Sequence, residues 1–555
     1  MIRKALITAI ALALPLGAIE QHFPSPVCPQ ETEEILASHF KGIVLMGSNR
    51  SVGNVHVENI SGVKFVDLKI PTGENVLERY LQDYLGRPVT VSRIQDIKRT
   101  IIDFYRRANR PIVYVEVPSQ AISSGVLELV VYEGKLGDVH CSGNKHFKDE
   151  LLIGYVKNKQ GESVDMDQLL KDLEWMNRNP FRQTNSIFTP AEQTGVTDIE
   201  LVTDDRFPWR FFAGVDNTGI RQAGRTRYFA GFNWGNAFNL DHVLSFQFTS
   251  GSDIDKYWST SLHYLAPLPW RHTLVAYGGY SHIKADLETP GMRTKGYSAQ
   301  ASLRYEMPVR PLINFLEDFL VGADYKRTNT SLTQDGTLFF DQSVNIFQLM
   351  AGYNGGYEGE WYKVSGTIEV YGSPGHWLPD QSRKRYEELR PGANNSYIYT
   401  RIAVAPIFNL KYDFQIQTKL RGQVSSTNLL ASEQFGLGGW DTVRGYQVRE
   451  VNADNVFIFN IELRSPAIKV AGHHKKIVKD ELRFLVFMDY GYGSNHEIFP
   501  GEVNHNNLMG VGPGIRYNLP PYLTFRGDLG YKVWQPVQSD NHTRWRFEFG
   551  LVASY

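Results

Sequence analysis

The sequence predicts two small α+β units in tandem, followed from about residue 207 by a transmembrane antiparallel β-barrel of about 16 strands. Three observations lead there. Apolar residues recur at helical spacing only up to about residue 205, and from Trp209 onward they recur at every second position. The connections in the second part alternate between short turns and long loops. The chain also opens on a leader for secretion.

Composition excludes several classes. Lys+Arg is 58 against Asp+Glu 59 in 555 residues, so no global field favours nucleic acid, and none is expected as a partner. Hydrophobic residues make up 42% and the mean hydropathy is -0.31, which excludes a bundle of membrane helices. Aromatics at 13% and 49 glycines suit a barrel with aromatic girdles.

Arg3 and Lys4 precede the apolar run 5–14, so residues 1–18 read as a signal peptide cleaved after Ala18. Residues 19–40 form an N-terminal segment with one short helix expected in "QETEEILASHF" (30–40). Cys28 and Cys141 could pair in an oxidising compartment or remain two unrelated thiols, and "SPVC" lacks the small residues of a lipid-anchor site.

The first α+β unit is expected over 41–135 and the second over 136–206. Helical spacing marks "ENVLERYLQDYL" (74–85) and "VSRIQDIKRTIIDFYRRA" (91–108), and alternation marks "PIVYVEV" (111–117) and "VLELVVYEG" (126–134). The second round repeats strand, helix, helix, strand, strand, ending on "FRQTNSIFT" (181–189) and "TDIELVTDD" (197–205). In the barrel, "YDFQIQTKLRGQ" puts Tyr412, Phe414, Ile416 and Leu420 on one face. Asp413, Gln415, Gln417, Lys419, Arg421 and Gln423 take the other. An apolar face backed by a strongly polar one is a lipid-facing wall around a wet lumen. Long loops are expected near 284–296, 373–395, 435–453 and 494–507. The turn 465–480 is long on the short side, and its His473–His474 pair reads as solvated rather than metal-binding. The last strand, "WRFEFGLVASY", turns Trp545, Phe547, Phe549, Leu551 and Tyr555 outward, with Arg546, Glu548 and Ser554 inward.

One loop stands out. "LGGWDTVRGYQVRE" (437–450) carries Arg444 among glycines that permit a tight, re-entrant path, Gly438, Gly439 and Gly445. In "RFLVFMDYG" the residues Phe484, Val486, Met488 and Tyr490 share the lipid face, which turns Asp489 inward. The alternative is that Arg444 merely caps a solvated outer loop.

Several motifs together resemble a known family, the two-partner secretion transporters of the outer membrane. "VPSQAISSGVLELVVYEGKL" (117–136) is similar to the closing hairpin of that family's first POTRA (polypeptide-transport-associated) domain, through Pro118, Gln120, Gly125, Glu133 and Gly134. Asn177, Asn179 and Pro180, then Asp216, Asn217 and Gly219, resemble its second POTRA domain and the entrance into the barrel. Val443, Arg444, Gly445 and Tyr446 resemble the signature loop, and Phe487, Asp489 and Gly491 the inward strand motif. The resemblance covers roughly 40–555. It implies tandem POTRA domains in the periplasm and a barrel over 207–555 whose loop 436–453, after the eleventh strand, folds into the lumen to pair Arg444 with Asp489.

The resemblance further implies export of one large unfolded partner protein, of adhesin or haemolysin type, without ATP. No G-x-x-x-x-G-K-[ST] occurs, and no cofactor, metal or catalytic residue is expected. Capture by strand addition is expected on an edge including Phe181, Gln183, Asn185 and Ile187, unless that strand pairs wholly within its own sheet. Further expected partners are outer-membrane lipid and lipopolysaccharide, and the barrel-assembly machinery for insertion of a monomer. The short segment 30–40 departs from relatives that carry a long plug helix, so gating falls to the Arg444 loop or to 373–395. A barrel-assembly factor is the nearest rival. A barrel lipase lacks a G-x-S-x-G here, and a passive porin would not explain two α+β units.

Overall fold

The computed structural model describes residues 34–47, 60–193, 195–287, 289, 291–309, 315–334, 337–471, 480–500, 502–536 and 543–555. The leader, Cys28 and His473–His474 lie outside them.

The first unit begins with β1 (Ile35–Ala37), β2 (Gly42–Met46) and β3 (Gly62–Val66), then α1 (Glu74–Gln82), β4 (Val89–Thr90) and α2 (Val91–Arg107). It ends with β5 (Val113–Glu116) and β6 (Val126–Glu133), and its sheet runs β3-β2-β6-β5. Thr90 caps α2 by accepting the Arg93 amide at 3.3 Å, and α2 then buries Ile94, Ile97, Ile101, Phe104 and Tyr105 along one stripe. β2 is buried on both faces and parallel to both neighbours, which explains a continuous apolar run with no alternation to announce it. Over 34–40, the described part of the stretch expected to be helical, no helix forms. Ile35–Ala37 is a strand pairing with Val89–Thr90, because about three turns of helix cannot offset their own nucleation cost.

In the second unit β7 (Lys135–Ser142), α3 (Asp149–Ile153), α4 (Met166–Met176), β8 (Arg182–Pro190) and β9 (Val196–Asp205) make a three-stranded sheet in the order β7-β9-β8. Cys141 forms no disulfide among the described residues. Burial, with Asp149 beside it, pushes its thiol up to about 11, so it is a poor nucleophile.

Sixteen strands close the barrel. They begin with β10 (Trp209–Asp216), β11 (Arg227–Ala237), β12 (His242–Gly251), β13 (Tyr257–Pro267) and β14 (Thr273–Asp286). β15 (Met292–Pro308), β16 (Phe315–Gln334), β17 (Thr337–Glu358) and β18 (Tyr362–Pro374) follow. A loop bearing α5 (Arg383–Leu389) leads to β19 (Ser396–Asn409) and β20 (Gln415–Ser425). The next loop carries its own hairpin, β21 (Phe435–Leu437) with β22 (Val451–Ala453). β23 (Asn455–Arg464), β24 (Glu481–Ser494), β25 (His505–Leu519), β26 (Leu523–Lys532) and β27 (Trp545–Ser554) complete the wall.

Burial decides what kind of barrel this is. Phe484, Val486 and Phe547 are exposed, whereas Asp324, Gln348, Gln423 and Asp489 are buried. A soluble sandwich would show the reverse; a lipid-facing wall shows this. Two expected boundaries shift. Alternation continues through much of 284–296, where β14 and β15 pair out to Asp286 and Arg293. Tyr412 and Asp413 sit in a left-handed turn rather than in β20.

Candidate functional site

The connection after the eleventh barrel strand, β20, turns back inside. Its apolar residues Leu437, Val443, Tyr446 and Ala453 pack against Val456, Ile458 and Leu508 of the inner wall. Glycines on the wall leave it room. A Cβ on Gly510 would lie 2.0 Å from the Arg444 carbonyl oxygen, one on Gly530 would lie 2.4 Å from the Gly445 nitrogen, and one on Gly491 would lie 2.8 Å from Val443. Gly445 itself has φ 93°, a conformation that favours glycine. Gly510→Ala should therefore unseat the loop while leaving every charge in place, and proteases applied to intact cells should cleave it faster than in the wild type. The local cost is expected at ~1–3 kcal/mol.

Arg444 is 2% exposed. Its backbone amide and Nε donate to Asp489 Oδ2 at 3.0 and 2.7 Å, and Nη2 donates to Asp489 Oδ1 at 2.8 Å. Nη1 reaches Glu462 Oε1 at 2.5 Å and Asp528 Oδ1 at 3.4 Å, and the guanidinium lies 3.6 Å from the centre of the Phe487 ring. Such a fork is arginine chemistry, since an ammonium cannot address two carboxylates in one plane. Arg464, Arg516 and Arg526 complete the network on Glu462 and Asp528, so four arginines meet three carboxylates. Asn460 locks Asp489 to the loop, donating to Asp489 Oδ1 at 2.8 Å and to the Thr442 carbonyl at 2.6 Å.

The loop is tied to the wall from β20 to β27. Asp441 accepts Lys419 and Arg421 of β20 at 3.2 and 2.9 Å, and Trp440 lies under Arg526 and against Gly550 of β27. The Tyr446 hydroxyl donates to the Met509 carbonyl at 3.0 Å and also contacts the Trp534 carbonyl. Lys419 and Arg421, expected on the hydrated face, are thus committed to the loop, as are Arg526 and Asp528. A second departure from a uniformly wet lumen lies beside it, on β17 to β19. Val344, Ile346, Met350, Tyr371, Tyr397 and Tyr399 form an apolar patch under Tyr386 of α5, and Arg390 binds Asp454 at 2.7 and 2.9 Å.

The periplasmic end is built around Asp241, in the turn between β11 and β12. It accepts Tyr155 at 2.7 Å, Asn179 at 2.7 Å and both terminal nitrogens of Arg182, one of them at 2.7 Å. Arg182 is wholly buried there. Burial, then Asp241, raises the Tyr155 hydroxyl well above its usual range, so it stays a donor. Arg271, in the next such turn, contacts Asp172 of α4. Phe181 fills the space over Gly235 and is buried, so it is not on the strand edge where it was expected. Gln183, Asn185 and Ile187 are exposed, and β8 is an edge of its sheet. Beside this junction opens a cavity of about 1650 Å³, lined by Trp175, Arg178, Trp209, Asn233, His263 and Asp318 among others.

The remaining motif residues are structural in their placement. Gln120 pairs with the Glu128 backbone twice at 2.7 Å, standing in for a strand neighbour; Gly125 has φ 75°; and a Cβ on Gly134 would meet Ile112. Pro118 offers its carbonyl to Gln120, and Glu133 accepts Ser163. Asn177 bridges the Thr184 backbone at 2.9 and 2.7 Å, and Pro180 lines the cavity. Asp216, Asn217 and Gly219 are not at the entrance to the barrel. Asp216 ends β10 at its outer end and Asn217 and Gly219 follow it; there Asn217 bonds to the backbone of Phe547 and Phe549 and prolongs a seam between β10 and β27 of five residue pairs.

Residues 195–517, more than half the chain, match the family described as haemolysin secretion/activation protein ShlB/FhaC/HecB, and residues 59–134 match the POTRA domain of ShlB type. The chain is similar to the heme/hemopexin transporter protein HuxB of Haemophilus influenzae strain 86-028NP, with 21% identity over 86% of this chain and 84% of that one. It is similar to the outer membrane transporter CdiB of Dickeya dadantii strain 3937, with 20% identity over 81% and 79%. In fold it resembles the solved CdiB from Escherichia coli, with a TM-score of 0.73 at 14% identity over 96% and 93%. The chain therefore belongs to the ShlB/FhaC/HecB family of two-partner secretion transporters, with its barrel in the outer membrane and its POTRA region in the periplasm.

Proposed function

We propose that residues 41–135 and 136–206 act as two POTRA domains that capture one large, unfolded secreted protein, and that the barrel over 207–555 exports it without ATP. The cargo is of adhesin or haemolysin type. The observation that carries this reading is the Arg444 loop, folded inside the barrel and seated on its wall by a multi-partner ion network as well as by an apolar cluster. An anchored loop held by polar contacts has a second, displaced state in reach. Export uses both: the seated loop seals the lumen between transits, and the displaced loop clears it. Direction comes from cargo folding outside.

Capture uses the free edge of β8, where backbone hydrogen bonds accept any extended segment and exposed Gln183, Asn185 and Ile187 flank it. The adjoining cavity leads onward. A photo-crosslinker placed at Gln183, Asn185 or Ile187 in the full-length chain should trap the secreted partner in cells arrested during export. Absence of a cargo adduct at all three positions, with export running normally, overturns capture by this edge.

A further inference from the structure

On the outward face near the outer rim, Lys284 of β14 and Lys295 of β15 stand side by side, with Lys256, the residue before β13, next to them. The Lys284 amide of β14 donates to the Lys256 carbonyl at 2.8 Å, and Lys284 faces Lys295 across the β14–β15 ladder. Like charges directly opposite on one face of a sheet repel and destabilise it. Asp286 neutralises only one end of the row, binding Lys256 at 2.7 Å and Arg293 at 3.2 Å. Among the described residues, neither Lys284 nor Lys295 has a carboxylate within ion-pair distance, and both are exposed.

Directly on the membrane side of this row lies an aromatic layer. Trp258 packs on Tyr280 with ring centres 5.2 Å apart, Tyr280 stacks on Tyr297 at 6.0 Å, and Arg327 Nε donates to the Tyr297 hydroxyl at 3.1 Å. Aromatic girdles settle at the boundary between hydrocarbon and headgroups. The lysine row therefore stands at headgroup height on the side facing lipid. There an anion would convert its mutual repulsion into attraction.

We propose that Lys284 and Lys295, flanked by Lys256 and Arg293, bind the phosphate groups of an outer-leaflet glycolipid, seated on Tyr280 and Tyr297. This rests on the outer-membrane placement of the barrel but not on the Arg444 loop or on cargo capture. Charge complementarity selects a phosphorylated glycolipid over a neutral one, and the aromatic shelf selects a lipid over a free anion.

The test compares the purified full-length protein with K284Q/K295Q by native mass spectrometry from detergent. The probes are bis-phosphorylated lipid A, dephosphorylated lipid A and inorganic phosphate. The wild type should retain bis-phosphorylated lipid A, and the double variant should bind it about tenfold more weakly while staying heat-modifiable. Inorganic phosphate at millimolar concentration should not displace it. Equal retention by variant and wild type, equal binding of the dephosphorylated lipid, or displacement by inorganic phosphate would each overturn the assignment.

Discussion

Arg444→Ala is expected to abolish export of the partner protein while leaving a folded, heat-modifiable barrel in the outer membrane. The substitution removes the cation that, among the described residues, touches Asp489, Glu462 and Asp528 together, and leaves Asp489 with Asn460 as its side-chain donor among them. Breaking a buried ion pair by deleting one partner costs ~3–5 kcal/mol, which shifts the ratio of seated to displaced loop by at least about a hundredfold. Barrel stability is spared because the strand ladders do not pass through the loop. Arg444→Lys should fail nearly as badly, since an ammonium keeps the charge but loses the fork onto Asp489 and the reach to Glu462. Secretion of the partner into the medium, normalised to the amount of folded barrel, reads the outcome.

The second large effect is expected at the opposite end. Asp241→Ala leaves the Arg182 guanidinium buried without its carboxylate and strips Tyr155 and Asn179 of an acceptor. At ~3–5 kcal/mol this is enough to loosen the second α+β unit from its barrel turn, although the Arg271–Asp172 and Arg178–Asp318 pairs, Asn179 on the Gly235 carbonyl, Asn236 on His146 and Phe181 over Gly235 remain across the junction. Limited proteolysis should then release that unit at protease concentrations that leave the wild type whole, and export should fall with it. Asp241→Asn, which keeps the shape but weakens the charge-assisted bonds, should lie between the two. If Asp241→Ala resists proteolysis like the wild type, the junction does not depend on this hub.

What the sequence made legible follows from what alternation can report. Period two is enough to turn Asp489 inward and Phe484, Val486 and Met488 outward, because adjacent side chains on a strand must face opposite ways. It cannot say which inward residues meet. Glu462 and Asp528 join Arg444 only through the register that sets Asn460 opposite Asp489 and Gly514 opposite Asp528, and register belongs to the closed barrel. The glycines that admit the loop carry a usable signal: Gly510 and Gly530 interrupt inward positions of β25 and β26, where a strand gains nothing from a missing side chain. β2 stayed hidden because burial on both faces erases alternation. The Asp216–Gly219 motif looked like a threshold because it follows the α+β units in the chain, whereas the strand between them carries it to the outer end. Phe181 has the composition of an edge residue and is instead a plug over Gly235, a contact with a residue far along the chain.

The most direct measurement locks the loop in its seat. With Cys28 and Cys141 replaced by serine, Val443→Cys and Gly491→Cys place two thiols where a Cβ on 491 lies 2.8 Å from the Val443 side chain. The account predicts that this disulfide forms in intact cells, that export stops, and that a reductant added from outside restores it. No disulfide under oxidising conditions, or a locked loop with undiminished export, contradicts the account.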